Sequence, residues 1–274
     1  MNAPRDPGRT ALQDAEELPA ATIAFESART SNCCVLIPVV NEGERIRNQL
    51  AGMHTANLGC DIVVVDGGST DGSTDAAALR ALGVGTLIVK TGPGKLSAQL
   101  RLGLAHAMQR GYEGVVTIDG NGKDDFRAIP AFVAKLAEGY DAVQGSRYLP
   151  GGIAENTPLD RELGVRFVHA PLISLGARFR YTDSTNGFRA FSRRFLLDPR
   201  VRPFRAVFDT YNLHYYLAVR APRLGFRVCE IPVTRRYPAR GPTPSKIGGV
   251  TGKLHVLKQA VLAALGTYNP HDPR

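Results

Sequence analysis

The stretch Cys33-Cys34-Val35-Leu36-Ile37-Pro38-Val39-Val40-Asn41-Glu42 decides how the chain is read. A short run that is apolar at nearly every position does not alternate as a half-exposed strand does. It reads as a strand buried on both faces, as in a parallel sheet covered by helices. Its polar end then falls where such a strand delivers the chain toward a ligand. Working outward, the pattern recurs. Asp61–Val65 is a second buried strand, ending in Asp66-Gly67-Gly68-Ser69-Thr70-Asp71-Gly72-Ser73. Gly85–Lys90 is a third, ending in Gly92-Pro93-Gly94-Lys95; Val115–Ile118 is a fourth, ending in Asp119-Gly120-Asn121-Gly122-Lys123-Asp124-Asp125; Asp141–Gln144 is a fifth. Helices fit between them: from Asn41 as cap through Leu50, from Asp71 toward Leu82, and over Lys95–Arg110 and Phe126–Glu138. This alternation predicts an α/β fold, a Rossmann-like and mostly parallel sheet flanked by helices, with ligands at the carboxyl ends of its strands.

After Ser146 the rhythm changes. Helices are predicted over Arg161–Phe179 and Thr210–Val219, a strand over Arg227–Val233, and a Pro/Gly-rich loop over Arg235–Gly249. A last helix, Lys253–Leu265, carries Leu254, Leu257, Val261 and Leu265 at helical spacing, a stripe expected to pack on the core, with an interfacial membrane anchor as the alternative. Residues 1–30 are polar and aperiodic and read as a flexible tail. The predicted organisation is therefore a tail at 1–30 and a domain at 31–250 whose halves are 31–144 and 145–250. A C-terminal helix and tail follow at 251–274.

The 274 residues suffice for a large core. The net charge of +9 is uneven: −4 over Met1–Gln144 and +13 over Gly145–Arg274. The basic half calls for an anionic partner. Nothing approaches the ~20 apolar residues of a spanning helix, and the start lacks the apolar core of a signal peptide. Membrane contact is therefore expected to be peripheral, at the inner face, and the setting cytoplasmic. Cys33, Cys34, Cys60 and Cys229 show no CxxC or Cys/His ligand spacing, and the six histidines show none either. There is no GxxxxGK[ST], no GxGxxG opening a helix and no GxSxG. No recognition helix or aromatic-bearing sheet motif supports nucleic acid as the partner.

These residues carry a resemblance. Val35–Glu42 resembles the opening PxYNE segment of family 2 glycosyltransferases, and Val63–Gly72 their VVDDGSTDG turn. Gly94-Lys95 with Ala98, Arg101 and Gly103 resembles their GKGxAxRxG helix, and Thr117–Asp125 stands where they carry a DAD motif. Gly145-Ser146-Arg147-Tyr148, Asp183–Ala190, Glu230–Val233, Arg240 and Ser245-Lys246 resemble later signatures of the dolichyl- or polyprenyl-phosphate sugar synthases. The resemblance spans about residues 33–250.

It implies a GT-A fold with a mixed C-terminal acceptor region. It implies an inverting transfer of a sugar from a nucleotide-sugar donor, GDP-mannose or UDP-glucose in type, to polyprenyl or dolichyl phosphate. A glycan or secondary-metabolite acceptor on the same fold is the alternative. By resemblance, Pro38, Asn41, Glu42, Asp66 and Gly68 line the base and ribose, and Lys95 and Arg101 lie near the donor. Arg147 and Arg161 grip the acceptor phosphate, while Arg240, Ser245 and Lys246 close over the diphosphate. Mg²⁺ or Mn²⁺ is implied on Asp119, Asn121 and Asp125. Here Asn121 replaces the second acid of DAD, and Lys123 stands where a glutamine is common. Two readings are open: an altered metal site, helped by Asp124 or Asp125, or partial replacement of the metal by Lys123 and the basic loop. Val40 replaces a usual tyrosine, and Gly67 the second acid of the DDGS turn.

Overall fold

The computed structural model describes residues 17–239 and 249–270. In chain order the first half holds β1 (Ala21–Glu26), β2 (Cys33–Val39), α1 (Glu44–Ala56), β3 (Asp61–Asp66), α2 (Ala76–Ala81), β4 (Thr86–Lys90), α3 (Leu96–Gln109), β5 (Gly114–Thr117) and α4 (Ile129–Ala137). Then come β6 (Ala142–Ser146), β7 (Ile153–Glu155), α5 (Leu159–Gly164), α6 (Ala170–Ala177), β8 (Arg189–Ser192), α7 (Arg193–Leu196), α8 (Asn212–Arg223), β9 (Val228–Pro232), β10 (Thr234–Arg236) and α9 (Gly249–Ala264). The main sheet runs β1-β4-β3-β2-β5-β8-β6-β9, and β10 pairs with β7 in a second, two-stranded sheet.

The five buried strands of the first half are present. β4, β3, β2 and β5 run parallel, and β6 pairs parallel with β9. Successive side chains of β2 enter opposite layers: Cys34 and Leu36 pack with α3 and α8, whereas Val35, Ile37 and Val39 pack with α1. Both faces are covered, which is why the run is apolar throughout.

Several elements depart from expectation. Residues 21–26, read as tail, form β1, antiparallel to β4 at the sheet edge. Only Phe25 of its six residues is buried, so no periodic signal marks it. β8 lies antiparallel between β5 and β6, inside a segment read only as a motif. Asn41 does not cap α1. It takes φ +48°, its amide oxygen accepts from the Thr70 N–H at 2.7 Å, and α1 begins after Gly43. Asp71 accepts instead from the Gly43 N–H at 2.9 Å, and Asp75 caps α2. The loops after β2 and β3 are thus tied to each other. In α9 the buried positions are Val256, Gln259, Ala260 and Ala263; Leu254 and Leu265 of the expected stripe are 59% and 76% exposed.

Candidate active site

The carboxyl ends of β2, β3 and β5 open on one cleft of about 1110 Å³, large enough for a nucleotide sugar and part of a second ligand. Pro38, Glu42, Lys95, Asp119, Asn121, Arg147 and Arg161 all line it. Asn41, Asp66 and Gly68 are not among the lining residues; Asn41 and Asp66 instead tie the loops after β2 and β3. Asp66 is buried at the end of β3, and its carboxylate accepts from the Ser69 N–H at 2.9 Å and from the Ser69 hydroxyl at 2.6 Å. Glu42 pairs with Arg45 at 2.9 Å. The Lys95 N–H donates to the Asp209 carbonyl at 2.6 Å, which docks the start of α3 on the segment before α8.

Two expected site residues lie elsewhere. Arg101 is buried inside α3, and its guanidinium donates to the carbonyls of Glu17 at 2.9 Å and Phe204 at 3.2 Å. Asp125 faces outward and pairs with Arg127 at 2.7 Å. Arg240, Ser245 and Lys246 lie outside the described residues.

The floor of the cleft is a charge network. Arg235 on β10 reaches Asp119 at 3.0 Å and is hydrogen-bonded to Asp124, whose side chain is fully buried. Burial pushes the Asp119 carboxyl up, but Arg235 and Lys123 outweigh it and hold the group below the usual carboxylate range. For Asp124 burial dominates and the carboxyl is raised. Burial and the neighbouring Arg235 pull the Lys123 ammonium below its ordinary value; its Nζ lies 5.1 Å over the Tyr237 ring. Arg147 forms a bidentate pair with buried Asp183 at 2.6 and 3.0 Å and donates to the Thr185 hydroxyl at 2.9 Å. Arg189 donates to the carbonyls of Asn186, His214 and Ser184 at 3.0, 2.7 and 2.7 Å. His214 also lines the cleft; burial and Arg189 push its imidazole down to about 3, so it is neutral near pH 7.

The residues expected to hold a metal do not fit one. Asn121 turns its amide nitrogen to Asp119, donating at 3.2 Å, and its oxygen accepts from the Lys123 N–H at 3.2 Å. A carboxylate neighbour dictates that orientation. Asp119 is already paired with Arg235, and Asp125 points away. Among the described residues, no three His, Cys, Asp or Glu side chains converge as ligands.

Sequence reasoning missed Arg235, His214, Tyr211 and Tyr237, all of which line the cleft. Only the position of Arg235 two residues after the Glu230–Val233 signature hinted at it.

Residues 34–198 match the profile of Glycosyl transferase family 2. An undecaprenyl-phosphate mannosyltransferase of Micrococcus luteus is 30% identical over 227 residues, covering 81% of this chain and 90% of its own. A polyprenol monophosphomannose synthase of Mycolicibacterium smegmatis is 29% identical, covering 75% of this chain and 77% of its own. Glycosyltransferase AglJ of Haloferax volcanii is 29% identical over 73% of this chain, which spans only 62% of that relative. Glucosyl-3-phosphoglycerate synthase of Mycobacterium tuberculosis, solved with UDP, superposes with a TM-score of 0.61 at 18% identity, over 97% of this chain and 86% of that one. The same enzyme has also been crystallised with Mn²⁺ and UDP. At that identity the likeness concerns the fold, and the fold is GT-A. The chain belongs to glycosyl transferase family 2 and is a glycosyltransferase whose sequence is similar to the polyprenyl-phosphate sugar synthases.

Proposed function

We propose that this enzyme transfers a hexosyl group from a nucleotide sugar to polyprenyl phosphate. The observation that carries the reading is the pairing of a cationic wall with an apolar lip. Arg147, Arg161 and Arg189 line the cleft, along what we take as its acceptor side. Next to them, α5 and the turn Val165–His169 expose Leu159 (70%), Leu163, Phe167 (71%) and Val168, and α9 adds Leu254. Val168 and Leu254 also line the cleft itself. Exposed apolar side chains at this density mark an interaction surface. A phosphate head with a hydrocarbon chain matches both features; a soluble glycan matches only the first. The Lys253–Asp160 pair at 2.7 Å ties α9 to α5 beside this lip.

In the transfer, an oxygen of the lipid phosphate attacks the anomeric carbon. The bond from that carbon to the diphosphate oxygen breaks, its electron pair leaves with the nucleoside diphosphate, and the configuration inverts. A phosphate monoester is already anionic near neutral pH, so it needs positioning more than deprotonation. Arg161, beside the Tyr237 ring at 5.7 Å, is placed to hold the phosphate, with Arg189 and Arg147 behind it. The names of two relatives favour a mannosyl donor, GDP-mannose in type, with UDP-glucose the competing choice.

The test is transfer of radiolabel from GDP-mannose or UDP-glucose to polyprenyl phosphate. Label is expected in an organic-extractable, mild-acid-labile product. Arg161→Ala should lower kcat/KM for that acceptor by ten- to a hundredfold, the loss of one charge-assisted contact at about 1.5–3 kcal/mol. Leu163→Asp/Phe167→Asp should impair a long-chain acceptor more than a short-chain one. Label confined to water-soluble products would refute the acceptor assignment.

A further inference from the structure

We infer that this enzyme meets the negative charge of the departing nucleoside diphosphate with its own cations, Arg235 and Lys123, and that donor binding needs no divalent metal. The inference rests on the nucleotide-sugar part of the proposed function and not on the acceptor. Its basis is the way the fold builds Arg235 into the acidic motif. β10 runs against residues 123–125: the Asp125 N–H donates to the Thr234 carbonyl at 3.0 Å, and the Arg236 N–H donates to the Lys123 carbonyl at 2.8 Å. Asp124 and Arg235 are thereby bridged backbone to backbone. The guanidinium itself is held by Asp119 and Asp124, with the side chain 8% exposed.

One oxygen of Asp119 is engaged. Oδ2 accepts from Arg235 at 3.0 Å and from Asn121 at 3.2 Å. Oδ1 faces Gly187, so closely that a Cβ there would stand 2.8 Å from it. A metal ion on Oδ2 would have to displace the guanidinium, and one on Oδ1 would meet a carboxylate already neutralised by Arg235 and close to the Lys123 ammonium. Like charges at such range oppose it. The alternative ligand, Asp124, has a fully buried side chain behind Arg235 and is not part of the cleft lining.

Arg235, Lys123, Arg147 and Arg189 all line the cleft. A guanidinium already oriented by carboxylates presents its remaining N–H groups to a diphosphate without reorganisation. The Asn121 and Lys123 departures from the family pattern then belong together with Arg235. Each removes a negative charge or adds a positive one at the same spot.

The experiment is calorimetric titration of the full chain with UDP and with GDP, in EDTA and again with excess Mn²⁺. The nucleotide that binds is expected to show affinities within about threefold in the two conditions. In EDTA, Lys123→Gln and Arg235→Gln should each weaken it tenfold or more. Lys123→Gln keeps the test decisive if Arg235→Gln fails to fold, since it leaves the Arg235–Asp124 pair in place. Binding that collapses more than tenfold in EDTA overturns the inference, as does a Lys123→Gln variant with unchanged affinity. Absence of binding by both nucleotides in both conditions overturns the donor assignment and the inference with it. Metal-free binding without lipid labelling refutes only the acceptor.

Discussion

Arg147 was expected from sequence to touch the acceptor phosphate, yet its guanidinium is largely spent on Asp183. The pair is almost sealed: the two side chains are 3% and 0% exposed, the contacts are bidentate at 2.6 and 3.0 Å, and the Arg147 N–H adds a third at 3.3 Å. Removing the arginine strands a carboxylate with no access to water. Breaking a buried pair from one side costs about 3–5 kcal/mol. In a chain of this size that lowers Tm by roughly 6–20 °C. Arg147→Met is therefore expected to be strongly destabilised in denaturant unfolding followed by circular dichroism, and Asp183→Asn comparably so. The double variant should recover much of the loss, giving a coupling energy of at least ~2 kcal/mol. The acid response has a definite sign. Burial pushes Asp183 up, but Arg147 outweighs it and the folded carboxyl sits below its ordinary value. Its stabilisation is thus complete above the unfolded carboxylate pKa and is lost as pH falls through the folded one. Below about pH 4 the wild type should lose stability faster than Asp183→Asn. Single variants costing under ~1 kcal/mol, with no coupling between them, would refute the reasoning and free Arg147 for a purely catalytic role.

Three further outcomes are expected. His214→Gln should flatten the stability–pH profile between pH 6.5 and about 3. The buried imidazole stays neutral in the fold while the unfolded chain takes a proton, so wild-type stability falls with pH across that window, by roughly 3 kcal/mol at pH 4; equal slopes in thermal melts would contradict this. Arg101→Met should cost about 2–3 kcal/mol by orphaning the Glu17 and Phe204 carbonyls while leaving donor KM within about twofold; a KM effect without destabilisation would return Arg101 to the donor site. Gly67→Asp, which restores the family acid, should cost about 1–3 kcal/mol, because its Cβ would stand 2.4 Å from Val40 Cγ2. Adding Val40→Ala should recover much of that in denaturant titrations.

What was legible in the chain was the part set by local burial. The parallel strands announced themselves because both faces are covered, and the Gly- and Asp-rich turns because only they can end such strands at a ligand. β1 was hidden because a single residue, Phe25, touches the core. β8 was hidden for the opposite reason. Its first residue, Arg189, is a charge buried to 2% exposure and satisfied by three backbone carbonyls, so a core strand reads as a polar motif. The two acids after the motif separate on a matter of geometry. Adjacent residues in extended backbone point to opposite sides. Asp124 therefore turns inward to Arg235 while Asp125 turns outward to Arg127. No local pattern reveals which of two neighbouring acids faces in, and the pairing that decides it joins residues 111 positions apart.

The departures from the family pattern gain meaning when taken by position in space. Val40 and Gly67 are distant in sequence, yet the methyl of one fills the room the other leaves, with Gln99 beside them donating to the Val39 and Val65 carbonyls at 2.9 and 2.8 Å. Substituting a tyrosine and an acid at the end of β2 and β3 thus removes a charge and seals the gap in one step. Asn121 and Lys123 form a second such set around Asp119, beside Arg235. Both sets shift the floor of the cleft toward positive charge. The excess charge of the second half of the chain reaches the loop after β5 through Arg235 on β10. An acidic half and a basic half, separate in sequence, meet there at one carboxylate. That meeting makes the sign of the cleft a property of the whole fold, and no single motif could have predicted it.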